Sequence, residues 1–84
     1  MNETQRHLIA SIAKAGHDMT VADYEGMLQS RTNNVQAVVN AIDSVEECYV
    51  HVFDGTTKLG TLFYVDQELN DYSDNDQIKP LVTV

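Results

Sequence analysis

Residues 48–65 read CYVHVFDGTTKLGTLFYV, and this stretch decides the fold of the C-terminal half of the chain. Over residues 48–53 apolar side chains alternate along the chain with the period of two that is typical of a strand with one buried face. Asp54-Gly55 is a typical hairpin turn. Residues 59–65 are rich in aromatic and β-branched side chains, which favours a second strand. We therefore predict a β-hairpin over residues 46–65.

Before this hairpin, apolar residues recur at helical spacing in three stretches. The first covers residues 3–15 and ends at Gly16, which suits a helix C-terminus. The second covers residues 20–28, with Thr20 as the N-cap and Asp23 in its first turn. The third has an apolar stripe over residues 35–42. The sequence thus predicts an α+β fold in which three N-terminal helices, within residues 1–45, are followed by the hairpin.

Residues 66–84 form an acidic C-terminal segment that ends in a short apolar stretch. Residues 66–76 contain five acids and no base. We predict a short final strand that includes Leu81–Val84, which could pair with the hairpin edge or with a second copy of the protein as a homodimer. Together, residues 1–84 are expected to form a single domain.

The charge of the chain is unevenly distributed. The 84 residues have a net charge of −8. Residues 1–42 contain four acids and three bases, a net charge of −1, whereas residues 43–84 contain nine acids and two bases, a net charge of −7. Such an asymmetry is informative about partners. No apolar run approaches the roughly 20 residues of a membrane span, and the single Cys48 suits a reducing compartment, so we expect a cytoplasmic protein that does not bind membranes.

The order of helix, helix, turn, helix and hairpin resembles that of a winged helix-turn-helix domain. The segment Thr20-Val21-Ala22-Asp23-Tyr24 is similar to the T-V-A-E-L opening of many such motifs, and Val35 falls where the third helix buries its first apolar residue. Gln29 and Ser30 stand where the motif usually has a glycine and a buried apolar residue. The resemblance covers about residues 5–65 and implies a winged-helix-like fold.

That resemblance also implies a transcriptional regulator that binds double-stranded DNA. The N-terminal end of its third helix would enter the major groove, where Arg suits guanine and Asn or Gln suits adenine. The hairpin tip would contact a phosphate. Five Lys and Arg in the whole chain provide little of the positive charge that DNA binding usually requires. The DNA-binding residues implied are Arg31, Thr32, Asn33, Asn34, Gln36 and Lys58.

The alternative is that the acidic half binds a protein by imitating DNA. Carboxylates two residues apart on a strand are separated by about 6.6–6.8 Å, close to the spacing of phosphates along one strand, and Asp66 and Glu68 have this relation if the strand persists. An acidic stretch can also be no more than a solvated loop. The residues expected to form the partner-binding surface are Asp43, Glu46, Glu47, Asp66, Glu68, Asp71, Asp74 and Asp76.

A second resemblance favours this imitation of DNA. The stretch LGTLFYV, followed by Asp71-Tyr72-Ser73-Asp74-Asn75, is similar to small acidic phage and prophage proteins. The resemblance covers about 20 residues and favours a mobile-element origin, because small acidic phage proteins are often of the anti-CRISPR or host-inhibitor kind. Our leading hypothesis is therefore a non-enzymatic protein that binds a host complex with a basic nucleic-acid-binding groove. The winged-helix regulator is the alternative.

The sequence predicts neither catalysis nor a bound cofactor. His7, His17 and His51 are scattered over a helix, a loop and a strand, and zinc sites require His and Cys at short spacing. No glycine-rich phosphate-binding loop is present in the sequence. We expect no catalytic residues, no metal site and no cofactor.

Overall fold

The structure, a computed structural model, describes residues 1–73 of the chain. These residues form two helices and five strands in an α+β fold. In chain order the elements are α1 (Glu3–Lys14), β1 (Asp18–Asp23), β2 (Gly26–Thr32), α2 (Val35–Asp43), β3 (Glu47–Asp54), β4 (Thr57–Val65) and β5 (Glu68–Tyr72).

All five strands belong to one antiparallel sheet with the order β2-β1-β3-β4-β5. Both helices pack on the same face of this sheet. Along β3 the buried and more exposed residues alternate, as the sequence pattern predicts. The core between helices and sheet consists of Ile9, Ile12, Met19, Val21, Val38, Val39, Ala41, Ile42, Cys48, Val50, Val52, Leu59, Leu62 and Tyr64.

The two helices begin at side-chain caps. Asn2 accepts a hydrogen bond from the backbone N–H of Gln5, and Asn34 accepts one from Ala37. These bonds satisfy amide groups that have no partner inside the helix. After α1, Gly16 has a φ of +88°, a left-handed conformation that glycine adopts without strain. Glycine thus ends the first helix where the sequence predicts its end.

The prediction of three N-terminal helices followed by a hairpin is wrong. Residues 18–32, which include the predicted second helix, instead form the hairpin β1–β2. The carboxylate of Asp23 accepts hydrogen bonds from the N–H groups of Glu25 and Gly26, which builds a tight turn where helix was expected. In addition, Met19 and Val21 are buried beside Val52 and Val50 of β3. Burial of these side chains in the core favours a strand over a helix in this segment.

The C-terminal prediction also needs correction. Residues 68–72, expected in an acidic segment beyond the hairpin, form a fifth strand that pairs with β4. Asp74, Asp76 and the predicted strand or dimer contact Leu81–Val84 lie outside the described residues. Neither helix within residues 1–73 has the length and apolar character needed to cross a membrane.

Candidate functional site: an acidic end of the sheet

Three connections meet at one end of the sheet, which we call the acidic end. They are the β1–β2 turn, the α2–β3 connection and the β4–β5 turn, with their flanking residues 23–26, 43–47 and 65–68. The backbone N–H of Asp66 donates to the carbonyl oxygen of Glu46 at 2.7 Å. The side-chain amide of Gln67 donates to the carbonyl oxygen of Val45 at 3.3 Å. These bonds hold the second and third connections side by side.

The β4–β5 turn places its residues in an unusual backbone conformation. Asp66 and Gln67 have φ values of +52° and +64°, so both central residues of this two-residue turn are left-handed. This is the geometry of a type I′ turn, which matches the twist of the flanking strands. Asp66 and Glu68 were expected to share the face of one strand if that strand continued. The strand ends at Val65 instead, so Asp66 lies in the turn and Glu68 begins the next strand.

Among the described residues, negative charge accumulates at the acidic end without basic side chains. The four Lys and Arg among residues 1–73 are all in other places: Arg6 and Lys14 in α1, Arg31 in β2 and Lys58 in β4. The N-terminal amine lies at this end, 3.3 Å from the carboxylate of Asp43. The carboxylates at this end belong to Asp23, Glu25, Asp43, Glu46, Glu47, Asp66 and Glu68.

The end of α2 makes this accumulation electrostatically costly. A helix C-terminus carries partial negative charge and is stabilised by nearby cations. No basic residue occupies the last turn of α2, and its last residue is Asp43, followed at short distance by Glu46 and Glu47. By contrast, α1 has Glu3 in its first turn and Lys14 in its last. The arrangement at the acidic end therefore opposes the helix dipole, whereas α1 complements it.

A shallow depression lies between the first two connections. It has a volume of about 270 Å³ and is lined by Asp23, Tyr24, Glu25, Val45, Glu46 and Glu47. The ring of Tyr24 is 91% exposed, so a large aromatic side chain projects from the acidic rim. Tyrosine is enriched among residues that dominate the affinity of protein interfaces.

Nearby Cys48 is buried, and burial together with Asp23 raises the pKa of its thiol to about 11, which makes it a poor nucleophile.

The structure brings together most of the acids predicted for partner binding. Five of the eight, Asp43, Glu46, Glu47, Asp66 and Glu68, lie at the acidic end. Asp71 lies further along β5 opposite Phe63, and Asp74 and Asp76 are outside the described residues. Sequence reasoning missed Asp23, Tyr24 and Glu25, because it placed them in a helix. The run Asp23-Tyr24-Glu25-Gly26 has the composition of a turn and was the signal that could have identified them.

Four of the six residues predicted to bind DNA have side-chain hydrogen-bond partners within the protein. The helix predicted over residues 20–28 is replaced by parts of β1 and β2 and the turn between them. Asn34 caps α2, and the hydroxyl of Thr32 accepts a hydrogen bond from the Asn34 amide. The side chain of Gln36 accepts from Arg6 and donates to Asn40. The remaining candidates are Arg31, which pairs with Asp18, the exposed Asn33 before the helix, and the exposed Lys58 at the start of β4.

The carboxylates of the acidic end are mostly exposed. Among residues 1–73 no three His, Cys, Asp or Glu side chains come together in a way that could hold a metal ion. No known protein family, curated protein or solved structure matches the chain. The two resemblances seen in the sequence therefore remain predictions, and the site has to be interpreted from its own residues.

Proposed function

We propose that this protein is a non-enzymatic binding protein whose acidic end occupies a basic, nucleic-acid-binding groove of a partner protein. The observation that carries the proposal is the concentration of seven carboxylates in three adjoining connections, with no Lys or Arg of residues 1–73 among them. Clefts lined by one sign of charge attract ligands of the opposite sign. A nucleic-acid-binding groove is such a cleft, because phosphates dominate its natural ligand.

The energetic cost of the acidic end supports a role in binding. Carboxylates near the C-terminus of α2 oppose its dipole, and like charges in neighbouring connections repel one another. When a basic partner binds, its positive charge would reduce both the unfavourable interaction with the helix dipole and the repulsion between the carboxylates. The exposed ring of Tyr24 adds an apolar anchor inside the charged rim, and such a combination of aromatic centre and polar surround is typical of protein interfaces.

The wider hypothesis is that the partner is a host nucleic-acid-handling complex and that the chain comes from a phage or another mobile element. Its support is the charge distribution together with the sequence resemblance. The alternative, a regulator that binds double-stranded DNA, lacks a comparable observation. Four of its six proposed contact residues are engaged in caps, an ion pair or side-chain hydrogen bonds.

The test is a pair of variants with the same net charge. In Glu46→Gln/Glu47→Gln both changes fall at the acidic end, and in Glu3→Gln/Asp54→Asn both fall elsewhere on the exposed surface. Each tagged protein is used to capture partners from nuclease-treated bacterial lysate, and the captured proteins are identified and purified. We then measure the affinity of each variant for the purified partner and the ability of each to displace DNA from it.

We expect the acidic-end variant to bind the purified partner at least about tenfold more weakly, since each lost charge contact at an interface is worth on the order of 1 kcal/mol or more. The control variant should bind and displace DNA like the unmodified protein. Equal affinity of the two variants would contradict the proposal. Capture of DNA in place of protein, in samples without nuclease, would favour the regulator.

A further inference from the structure

The second face of the sheet, which we call the open face, is not covered by any element within residues 1–73. Tyr49, His51 and Phe53 project from β3 on this face, since their neighbours Val50 and Val52 are buried under the helices. Residues paired across an antiparallel sheet share a face. Phe63 of β4 pairs with Tyr49, and Asp71 of β5 pairs with Phe63, so a row of two aromatic rings and one carboxylate crosses three strands.

One part of the open face already holds a cation. The guanidinium of Arg31 lies 4.9 Å from the centroid of the Phe53 ring. Its Nε donates to the carboxylate of Asp18 at 3.0 Å. An aromatic face and a carboxylate thus act together on one arginine, which combines cation–π attraction with a charge-assisted hydrogen bond.

The row of Tyr49, Phe63 and Asp71 repeats these components. The two rings are stacked with their centroids 4.9 Å apart, and the ring of Tyr49 is 44% exposed. A depression of about 200 Å³ is lined by Tyr49, Thr61, Phe63, Asp71, Tyr72 and Ser73. Within residues 1–73, no Lys or Arg lies over these rings or pairs with Asp71.

A bulge in β5 increases the negative charge around the rings. Val65 pairs with Glu68 and Phe63 pairs with Asp71, with a register shift between them. As a result Glu68 and Asp71 both project from the open face. In a regular strand, residues separated by an odd number of positions would lie on opposite faces. Glu47, paired with Val65 from the other side, adds a third carboxylate on this face.

We propose that Tyr49, Phe63 and Asp71 form a binding site for an arginine side chain of a partner protein. The planar guanidinium can stack on an aromatic ring while it donates paired hydrogen bonds to a carboxylate, which an ammonium group cannot do in the same geometry. Three carboxylates on this face would repel the phosphates of a nucleic acid, so a stacked base is the less favourable occupant. The rings and Asp71 lie outside the proposed groove-binding surface, whereas the flanking Glu47 and Glu68 belong to both surfaces. The site otherwise shares with the proposed function only the basic character of the partner.

The proposal is tested by titrating the full chain with a hexa-arginine peptide and following its NMR spectrum. The ring resonances of Tyr49 and Phe63 should shift, and they should shift less with a hexa-lysine peptide. Asp71→Asn should weaken peptide binding measured by these ring shifts about three- to tenfold, the usual range for losing one close cationic contact. Asp54→Asn, which removes the same charge at the far turn, should weaken it less than about twofold.

Several results would overturn the proposal. These are ring resonances that respond equally to both peptides, equal weakening by Asp54→Asn and Asp71→Asn, or larger ring shifts with an oligothymidine than with arginine. Amide spectra identify any variant that fails to fold, and Tyr49→Leu then serves as the second test, with the same loss of affinity expected. If Lys79→Ala alone moves the ring resonances and tightens peptide binding, the chain's own lysine is the occupant and the proposal is wrong.

A Glu25→Gln/Glu46→Gln protein, which changes two carboxylates of the acidic end and none of the three on the open face, separates this proposal from the proposed function. If it binds the purified partner weakly while the ring shifts with arginine peptide persist, both proposals stand. If ring shifts are absent from the unmodified protein but partner binding depends on the acidic end, only the arginine site fails. If ring shifts depend on Asp71 and partner binding is unaffected by Glu25→Gln/Glu46→Gln, only the proposed function fails.

Discussion

The two ends of the sheet differ in how their charged side chains are paired and in which residues form their turns. At the end that carries the β3–β4 turn, Arg31 pairs with Asp18, lies over Phe53 and donates to the carbonyl of Gly55. The turn itself has glycine at its left-handed position. At the acidic end no Lys or Arg of residues 1–73 lies beside the carboxylates, and the turn places Asp66 and Gln67 in left-handed conformations.

This contrast shows how one small domain can divide stability and binding between two regions. The paired end satisfies the charges of Arg31 and Asp18 internally and uses glycine at the turn position with positive φ. The acidic end retains uncompensated charge and backbone strain, both of which cost stability. Features of this kind are found at sites whose use compensates for the cost, and the following predictions test whether the two ends differ as this contrast requires.

The largest effect should come from breaking the paired end. Arg31→Ala removes an ion pair, a cation–π contact and a hydrogen bond to a carbonyl, so the free energy of unfolding should fall by about 1–2 kcal/mol. Urea denaturation measures this change. Lys58→Ala, which removes an exposed cation without such contacts, should change the same quantity by less than about 0.5 kcal/mol. Equal effects of the two substitutions would contradict the picture of a paired end.

The next effect should come from relieving the strained turn at the acidic end. Gln67 is left-handed at a φ of +64°, and a non-glycine residue in this region costs roughly 1 kcal/mol. Gln67→Gly should therefore raise the free energy of unfolding by about 0.5 kcal/mol, after allowing for the lost hydrogen bond to Val45 and for the greater flexibility of glycine in the unfolded chain.

The matched control for the strained turn is the glycine of the other hairpin. Gly55→Ala places a side chain at a φ of +60° and should lower the free energy of unfolding by about 1 kcal/mol. The two substitutions thus have opposite expected signs at two residues that both have a positive φ. A decrease in stability for Gln67→Gly would show that Gln67 contributes more through its side chain than it loses through its backbone.

A smaller effect should follow from removing charge at the acidic end. Glu46→Gln/Glu47→Gln relieves repulsion near the C-terminus of α2, so it should raise the free energy of unfolding by about 0.5 kcal/mol at low ionic strength. This gain should largely disappear in about 0.5 M salt, where exposed charges are screened. Glu3→Gln, at the N-terminus of α1, should have the opposite sign because Glu3 complements its helix dipole. A loss of stability in the acidic-end variant would indicate a structural role for these carboxylates.

Much of the fold was accessible from local sequence patterns, and the failures have a physical cause. Helices α1 and α2 and the hairpin β3–β4 have one clear period each, and their packing reinforces it. In residues 20–28, helical spacing and a strand pattern compete. Gly26 inside the predicted helix would cost about 1 kcal/mol relative to alanine, and this was the local sign against a helix. The decisive factor is tertiary, because β1 lies between β2 and β3 in the sheet.

The candidate site shows the same division between local and tertiary information. The excess of acids after residue 42 could be seen in the sequence, and it includes five of the seven carboxylates at the acidic end. Asp23 and Glu25 could not be added to them, because only the pairing of β1 with β3 brings their turn beside the α2–β3 connection. The open-face row was equally hidden, since the bulge in β5 that turns Asp71 and Glu68 to one face depends on its partner strand.

The smallest effect is the pH dependence of stability that arises from His51, which lies on the open face between the two ends. Burial lowers the pKa of His51 below its usual value, and the nearby cation of Lys58 lowers it further. A histidine whose pKa is lower in the folded protein stabilises the fold fully above its unfolded pKa of about 6.5. That contribution is lost as the pH falls from there towards the folded pKa, because the unfolded chain then binds more protons.

The difference in unfolding free energy between the unmodified protein and His51→Gln should therefore decrease from about pH 7.5 to about pH 5. Using the difference removes the contribution of the many carboxylates, which titrate in both proteins. His51→Gln keeps a polar group near the hydroxyl of Thr61, which lies 3.0 Å from Nδ1 of His51. Lys58→Ala should make the decrease smaller, since it removes one of the two causes of the lowered pKa. A difference that is constant or grows towards low pH would mean that the charges of the acidic end reach His51 and outweigh both burial and Lys58, and the separation between the two ends would then be incomplete.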